Sequence, residues 1–207
     1  MVSRGLLLRL RALPHKEREV EEFLQAVLPL VRLEQKTNVW FALDLGGGEY
    51  GVFDAFPDDE AREAHLEGPV ATALALNVGV LFDEPKIQKL DILADKLPDH
   101  SLDEHDLTRA VLLQFTARGD RASEVEEFLR NAKPLVENEP KTMAWFAVKL
   151  GEGEYGVFDA FPDTQGRRAH LLGRVPRELA KHAFQLLGGI PGVRLPKVLA
   201  ERVDADH

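Results

Sequence analysis

The sequence contains no cysteine and only two tryptophans, two tyrosines and two methionines in 207 residues. The missing thiols exclude disulfides, thiolate metal sites and a cysteine nucleophile, and fit a reducing compartment. Basic residues are also few. Lysine and arginine number 26 against 35 acids, a formal charge of −9, which argues against nucleic acid, whose backbone needs clustered cations. Long apolar runs are missing too. The opening MVSRGLLLRLRALPHKE is interrupted at Arg9 and Arg11, too soon for a signal-peptide core or a spanning helix. The expectation is a cytoplasmic protein without membrane or nucleic-acid partners.

What is present is a repeat. GEYGVFDAFPD runs from Gly48 to Asp58 and returns unchanged from Gly153 to Asp163, an offset of 105 residues. The same offset carries Phe23 to Phe128, Pro29 to Pro134, Trp40 to Trp145 and His65 to His170. A repeat of this length has the size of a small domain rather than of a solenoid unit. Within it, Tyr50, Val52, Asp54 and Phe56 alternate with Gly51, Phe53 and Ala55, a strand that Pro57 ends. Asp58 then stands as a helix N-cap.

The order of elements is read from the periodicities. Leu6 to Ala12 alternates as a strand. A helix follows from Lys16, interrupted near Pro29. A second strand spans Thr37 to Leu45, and a glycine turn leads into the repeated strand. The helix DDEAREAHL and an apolar helical run from Val70 to about Leu81 precede a strand from Lys86 to Leu93. This β-α-β-β-α-β order is the ferredoxin-like plan. The second copy repeats it: a strand over Ala110 to Ala117, a helix from Ser123, a strand over Thr142 to Leu150, and a last strand near Val193 to Ala200. One extra residue is needed before that last strand, and ERVDADH is expected to fray. The division is therefore repeat 1 over 1–98, a polar linker over 99–108 and repeat 2 over 109–207. Each sheet has helices on one face only. Packing the two bare faces together about a pseudo-twofold axis covers both, with further self-association left open.

The residues FDAFPDDEAREAHLEG, with FDAFPDTQGRRAHLLG in the second copy, resemble the signature of the antibiotic biosynthesis monooxygenase-like family, as does KTNVWFALDL. That resemblance implies an α+β fold: two tandem ferredoxin-like βαββαβ repeats forming an intramolecular pseudo-dimeric α+β barrel. It also implies a cofactor-independent monooxygenase acting on a small aromatic quinol or phenol. The alternative is a non-catalytic small-molecule-binding or stress-response module of the same fold. Family oxygenases usually carry tryptophan where this chain has Phe56 and Phe161, and glutamate where it has Asp54 and Asp159. The asparagine that haem-degrading members place in the first strand is missing. Nicotinamide, flavin and haem motifs are absent from the sequence, so no cofactor is expected.

His65 and His170 are the histidines shared by both copies, and an imidazole near its free pKa suits general-base work. Each could equally tie a helix down. Asp54 and Asp159 lie between aromatics, where a carboxylate must be paired or protonated; Arg9 and Arg11 are candidate partners in the first copy. The catalytic candidates are His65, Asp54, His170 and Asp159. The substrate-binding candidates are Arg9, Arg11, Asn38, Trp40, Tyr50, Phe56, Trp145, Tyr155 and Phe161. Asn38 becomes Met143 and Asp44 becomes Lys149 in the second copy, Arg9 and Arg11 become Gln114 and Thr116, and the first repeat keeps the fuller polar set. His100 and His105 lie among acids in the linker, where no metal site is expected. LGGGEYG joins two strands and so offers no helix N-terminus to a phosphate.

Residues 1–98 expressed alone should expose a large apolar face and dimerise or aggregate. Size-exclusion chromatography with light scattering would decide this; a stable monomer at micromolar concentration contradicts the paired-sheet reading.

Overall fold

A computed structural model describes residues 2–103 and 105–205, apart from the side chains of Asp103, Leu179, Ala183 and Phe184. Repeat 1 comprises β1 (Arg4–Arg11), α1 (Glu17–Ala26), α2 (Leu28–Leu33), β2 (Val39–Gly46), β3 (Glu49–Phe56), α3 (Asp59–Leu66), α4 (Pro69–Asn77) and β4 (Lys86–Lys96). A two-residue strand, β5 (Leu102–Asp103), follows. Repeat 2 comprises β6 (Arg109–Thr116), α5 (Ala122–Asn131), α6 (Lys133–Glu137), β7 (Ala144–Gly151), β8 (Glu154–Phe161), α7 (Thr164–Leu171), α8 (Arg174–Leu186), β9 (Gly192–Arg194) and β10 (Lys197–Val203).

Local chemistry accounts for the boundaries. Pro29 lies in the first turn of α2, where a missing N–H costs nothing, so it starts a second helix rather than kinking one. The Asp58 carboxylate accepts from the Ala61 amide at 2.8 Å and Asp163 from Gly166 at 2.7 Å, which caps α3 and α7. The apolar run after Val70 stops being helical at Asn77, four residues short of Leu81, because Gly79 turns the chain at φ +74°.

The strands close into a ring in the order β10, β2, β3, β1, β4, β7, β8, β6, with Lys197 pairing Arg109 to complete it. The halves exchange strands to make this ring. β4 pairs β1 through Lys86–Asp91 and then crosses to β7 through Asp91–Lys96. Its counterpart is split: β9 pairs β6, and β10 pairs β2 of the other repeat. The split falls at Leu195-Pro196, beside the extra residue, where proline cannot donate to a ladder. β10 then runs on through Val203, with Glu201 and Val203 buried. The expected fraying is therefore wrong for Glu201–Val203, because the strand is held against β2; Asp206 and His207 lie outside the described residues. Leu102 and Leu107 are also buried, and β5 adds to the edge of β10.

Strand alternation sorts the side chains into two cores. Val39, Phe41, Leu43, Phe53 and Ala55 point into the ring, together with Phe146, Phe158 and Ala160 of the second repeat. Phe53 stacks on Phe158, its own copy, with centroids 4.4 Å apart and planes 16° from parallel. The pseudo-twofold axis therefore passes between these rings. The ring interior is filled by these side chains. The opposite parity, Leu8, Leu10, Trp40, Ala42, Tyr50 and Val52, faces outward beneath α1, α2 and α4. The cavity beside Asp54 and His65 lies in that outer layer.

Gly48 and Gly153 hold φ of +76° and +69° at the tips of the β2–β3 and β7–β8 hairpins, a region hostile to a β-branched side chain. Gly48→Val and Gly153→Val should each destabilise the protein by about 1 kcal/mol or more, read as a lowered thermal midpoint. Unchanged midpoints in both would contradict the strain.

Candidate functional site

Two elements, β3 and α3, bring the shared histidine and aspartate of repeat 1 together. The alternation of β3 turns Asp54 outward, toward the helices. The Asp58 cap starts α3 so that His65, in its last turn, faces back onto the sheet. Phe56, two residues along the same strand face, lies against the imidazole with centroids 5.2 Å apart. His65 Nε2 then sits 3.6 Å from Asp54 Oδ2, and both side chains are almost wholly buried. On its other side Nδ1 meets Glu34 Oε2 at 2.5 Å. The Thr37 hydroxyl donates to the same Glu34 oxygen at 2.8 Å.

Repeat 2 builds the same arrangement. His170 Nδ1 meets Glu139 at 2.6 Å, His170 Nε2 lies 3.6 Å from Asp159, and Thr142 donates to Glu139 at 2.8 Å. Phe161 packs on His170 as Phe56 does on His65.

A glycine makes room for the glutamate. A Cβ on Gly68 would stand 2.8 Å from Glu34 Oε1, and one on Gly173 would stand 2.9 Å from Glu139 Oε1. Gly68 has φ −83°, so it is required for space and not for backbone conformation. Its position at the start of α4 also sets the Glu34 carboxylate against a helix N-terminus, where an anion is favoured.

Electrostatics divides the three groups. Burial pushes the Asp54 carboxyl up to about 7, against the opposing pull of His65, and pushes Asp159 up to about 6. Burial opposes the imidazolium of His65, but Asp54 and Glu34 on either side outweigh it and raise the pKa; His170 is raised in the same way. Burial likewise opposes the charge on Glu34, which His65 and Thr37 overcome, so its pKa is lowered. The charged form is thus favoured at Glu34 and at His65, whose Nδ1 is bonded to Glu34 and whose Nε2 faces Asp54 without a hydrogen bond, while Asp54 is the group pushed toward neutrality. Asp54 Oδ1 and the indole N–H of its cross-strand neighbour Trp40 have no hydrogen-bond partner among the described residues; the same holds for Asp159 and Trp145.

Asp54 and His65 border a cavity of about 480 Å³ between the sheet and α3–α4, walled by Leu6, Leu8, Val52, Val70, Leu74 and Val78, with Glu84, Pro85 and Ile87 also in its lining. Its remaining lining, Leu66, Ala71 and Ala75, is apolar. In repeat 2, the positions of Leu74 and Val78 fall on Leu179 and Ala183, whose side chains lie outside the described set. A pocket of about 260 Å³ there borders Trp145, Val157 and Arg174, and another of about 430 Å³ borders Glu139, His170 and Arg174.

The other sequence candidates lie elsewhere. Arg9 shares the ring-facing parity of Leu7 and bonds Gln114 across the pseudo-twofold axis. Arg11 is exposed and paired with Glu49 at 2.7 Å. Neither reaches Asp54, because Leu6, Leu8 and Leu10 occupy the outward face of β1. The expected arginine partner of Asp54 is in fact His65. Asp44 accepts from the Gly46 amide and pairs with Lys197. Tyr50 ties β3 to α1 through the Glu17 carbonyl and Glu21, and Tyr155 ties β8 to α5 through Ala122 and Glu126. Trp40 is packed under the helices, and Asn38 is half-buried at the entry to β2. Glu34 and Thr37 are the polar members that sequence reasoning missed as site residues. Both recur at the 105-residue offset as Glu139 and Thr142, which was the available signal.

No protein-family model and no curated protein matches the sequence. Solved structures do match. A candidate monooxygenase from Fusobacterium nucleatum superposes with a TM-score of 0.85 at 14% identity, covering 100% of this chain and 96% of its own. A ferredoxin-fold protein related to antibiotic biosynthesis monooxygenases, from Listeria monocytogenes, gives 0.55 at 7% identity over 96% and 95%. A Nitrosomonas europaea protein of unknown function is 44% identical over 47% of this chain and 96% of its own, with a TM-score of 0.47. The fold is therefore that of two fused ferredoxin-like units of the type found in antibiotic biosynthesis monooxygenase-like proteins. Among the described residues no helix is long and apolar enough to cross a membrane.

The raised carboxyl gives a signed prediction. A folded pKa above the unfolded value means the folded state holds the extra proton, so stability is lost as pH rises from about 4 toward 7. Asp54→Asn removes that loss. Its thermal midpoint relative to wild type should climb between pH 5 and pH 8; a difference independent of pH would show that Asp54 is not held protonated.

Proposed function

We propose that the protein is a cofactor-independent monooxygenase that oxidises a small phenol or quinol in the cavity beside Asp54. The single observation that carries this reading is a buried carboxyl with a pKa of about 7 and a free oxygen, bordering an otherwise largely apolar cavity of about 480 Å³. A general base works best when its pKa lies near the working pH. Asp54 meets that condition, whereas His65 is bonded to Glu34 through Nδ1 and its raised pKa favours the charged form, which cannot take a proton.

The reaction needs no further reductant. Asp54 takes the hydroxyl proton of a phenol carrying a para C–H. The phenolate gives electrons to O₂, and one oxygen atom bonds to the para carbon. The carbon loses its hydrogen, and the second oxygen atom leaves as water, so phenol plus O₂ gives quinone plus water. The substrate supplies all the electrons. The apolar walls raise the energy of the phenolate relative to water and so favour its oxidation, and they exclude competing solvent. The resemblance of the sequence motif to the monooxygenase-like family, and the fold shared with a candidate monooxygenase, both support this class of reaction.

Oxygen uptake by metal-free protein, measured with a panel of phenols and dihydroxyaromatics, tests the proposal. Wild type should consume O₂ with a rate that rises through about pH 7 as Asp54 ionises. Asp54→Asn should cut the rate by about 100-fold or more. An active Asp54→Asn variant would remove Asp54 from the chemistry. Aromatic binding seen by tryptophan quenching without any O₂ uptake would instead make the protein a small-molecule-binding module.

A further inference from the structure

The glutamate that fixes each histidine is itself held by a cation from the other repeat. Arg202 lies on β10, the strand that repeat 2 contributes beside β2 of repeat 1. Its guanidinium donates to the carbonyls of Val31 at 2.8 Å and Glu34 at 3.1 Å. In the reciprocal position, Lys96 on β4 donates to the carbonyls of Val136 at 3.0 Å and Glu139 at 2.8 Å. These carbonyls end the short helices α2 and α6, where a cation is favoured by the helix dipole. A six-residue and a five-residue helix are marginal by themselves, and each cation ties down the backbone at the helix end that carries the glutamate, whose carboxylate then meets the histidine and a threonine.

The register explains why these two positions can do this. Arg202 sits directly opposite Trp40, which sits opposite Asp54; Lys96 sits opposite Trp145, which sits opposite Asp159. Directly opposed residues share a sheet face. Cation, tryptophan and aspartate therefore form one row across three strands on the helix-facing side, once in each repeat. The row crosses the boundary between repeats only because β4 and β10 are exchanged.

We infer that each Asp–His–Glu site is positioned by the opposite repeat, with Arg202 setting Glu34 and hence His65, and Lys96 setting Glu139 and hence His170. Arg202 and Lys96 act as positioning residues, since neither borders the 480 Å³ cavity. The consequence is a crossed dependence in which a change on the strand of one repeat is felt at the histidine of the other. This inference takes from the proposed function only the identity of the site, and its test does not require turnover.

The test is the pH titration of the two imidazoles by NMR in the full chain, with His65 and His170 assigned by substitution. The groups facing His65 are Asp54 from β3 and Glu34 from the end of α2, with Glu84 the other ionisable residue of the cavity lining. Arg202→Met should let Glu34 drift and lower the His65 pKa by about one unit, with His170 unchanged. Lys96→Met should do the reverse. The sign is diagnostic: Arg202 is also paired with Asp204 at 3.1 Å, so if it acted only through charge, its removal would take away a cation, leave that anion unpaired and raise the His65 pKa. Arg202→Lys, which keeps a donor and the charge, should stay near wild type. The unaffected histidine in each variant reports intact folding; should Arg202→Met fail to fold, Arg202→Gln is read in the same way. A rise in the pKa, no change, or equal shifts at both histidines would each overturn the inference. In the oxygen assay, a loss confined to kcat with KM unchanged would match positioning. A wild type without oxygen uptake would defeat the proposed reaction and leave the crossed titration result standing.

Discussion

The structure depends on one constraint: each repeat makes a sheet whose second face is apolar and has no helices to cover it. The solution is for each repeat to cover the other. Phe41, Phe53, Phe146 and Phe158 meet inside the closed ring, and burying rings of this size is among the largest favourable contributions a small fold has. Both Asp–His–Glu sets consequently lie in the outer layer. The same closure requires β4 and β10 to leave their own sheets and pair with the facing one. Interior packing and strand exchange are thus two results of one demand.

The site in the outer layer is a balance of charges against burial. A carboxyl as buried as Asp54 is costly when ionised and unpaired. The cost is met in part by His65, whose own charge is favoured by Glu34, at the end of α2 with its carboxylate against the start of α4. The chain of compensation ends in a backbone feature, the space left by Gly68. Internally opposed groups of this kind are concentrated at functional sites, and the same Asp–His–Glu set occurs in both repeats.

Much of the architecture was legible in the sequence because it rests on local rules. An exact eleven-residue repeat, proline at strand ends and an aspartate cap before α3 and α7 mark the elements and their order, and alternation through Tyr50–Phe56 settles which side of β3 faces the helices. The site was legible only in part. Asp54 and His65 stood out as repeated polar residues. Glu34 did not, because its contact with a histidine 31 positions away depends on how α2 lies against α3, which no local periodicity encodes. Arg202 lies still further from reach, since its contact crosses between repeats. Arg9 and Arg11 could have been set aside earlier: they share the parity of Leu7, while Leu6, Leu8 and Leu10 take the helix-facing side. The end of β10 was misjudged for a related reason, as a polar tail can still be held by a strand from the other half.

The position of Arg9 on the pseudo-twofold axis has a consequence of its own. In a dimer of two identical chains, a residue on the axis must face itself, so an arginine there would oppose a second arginine in the barrel interior. The fused chain places Gln114 opposite Arg9 instead, a donor against an acceptor. Covalent linkage therefore lifts a restriction that symmetry imposes on every axial residue. It also makes the two halves complementary rather than interchangeable, so that repeat 1 is matched better by repeat 2 than by a second copy of itself.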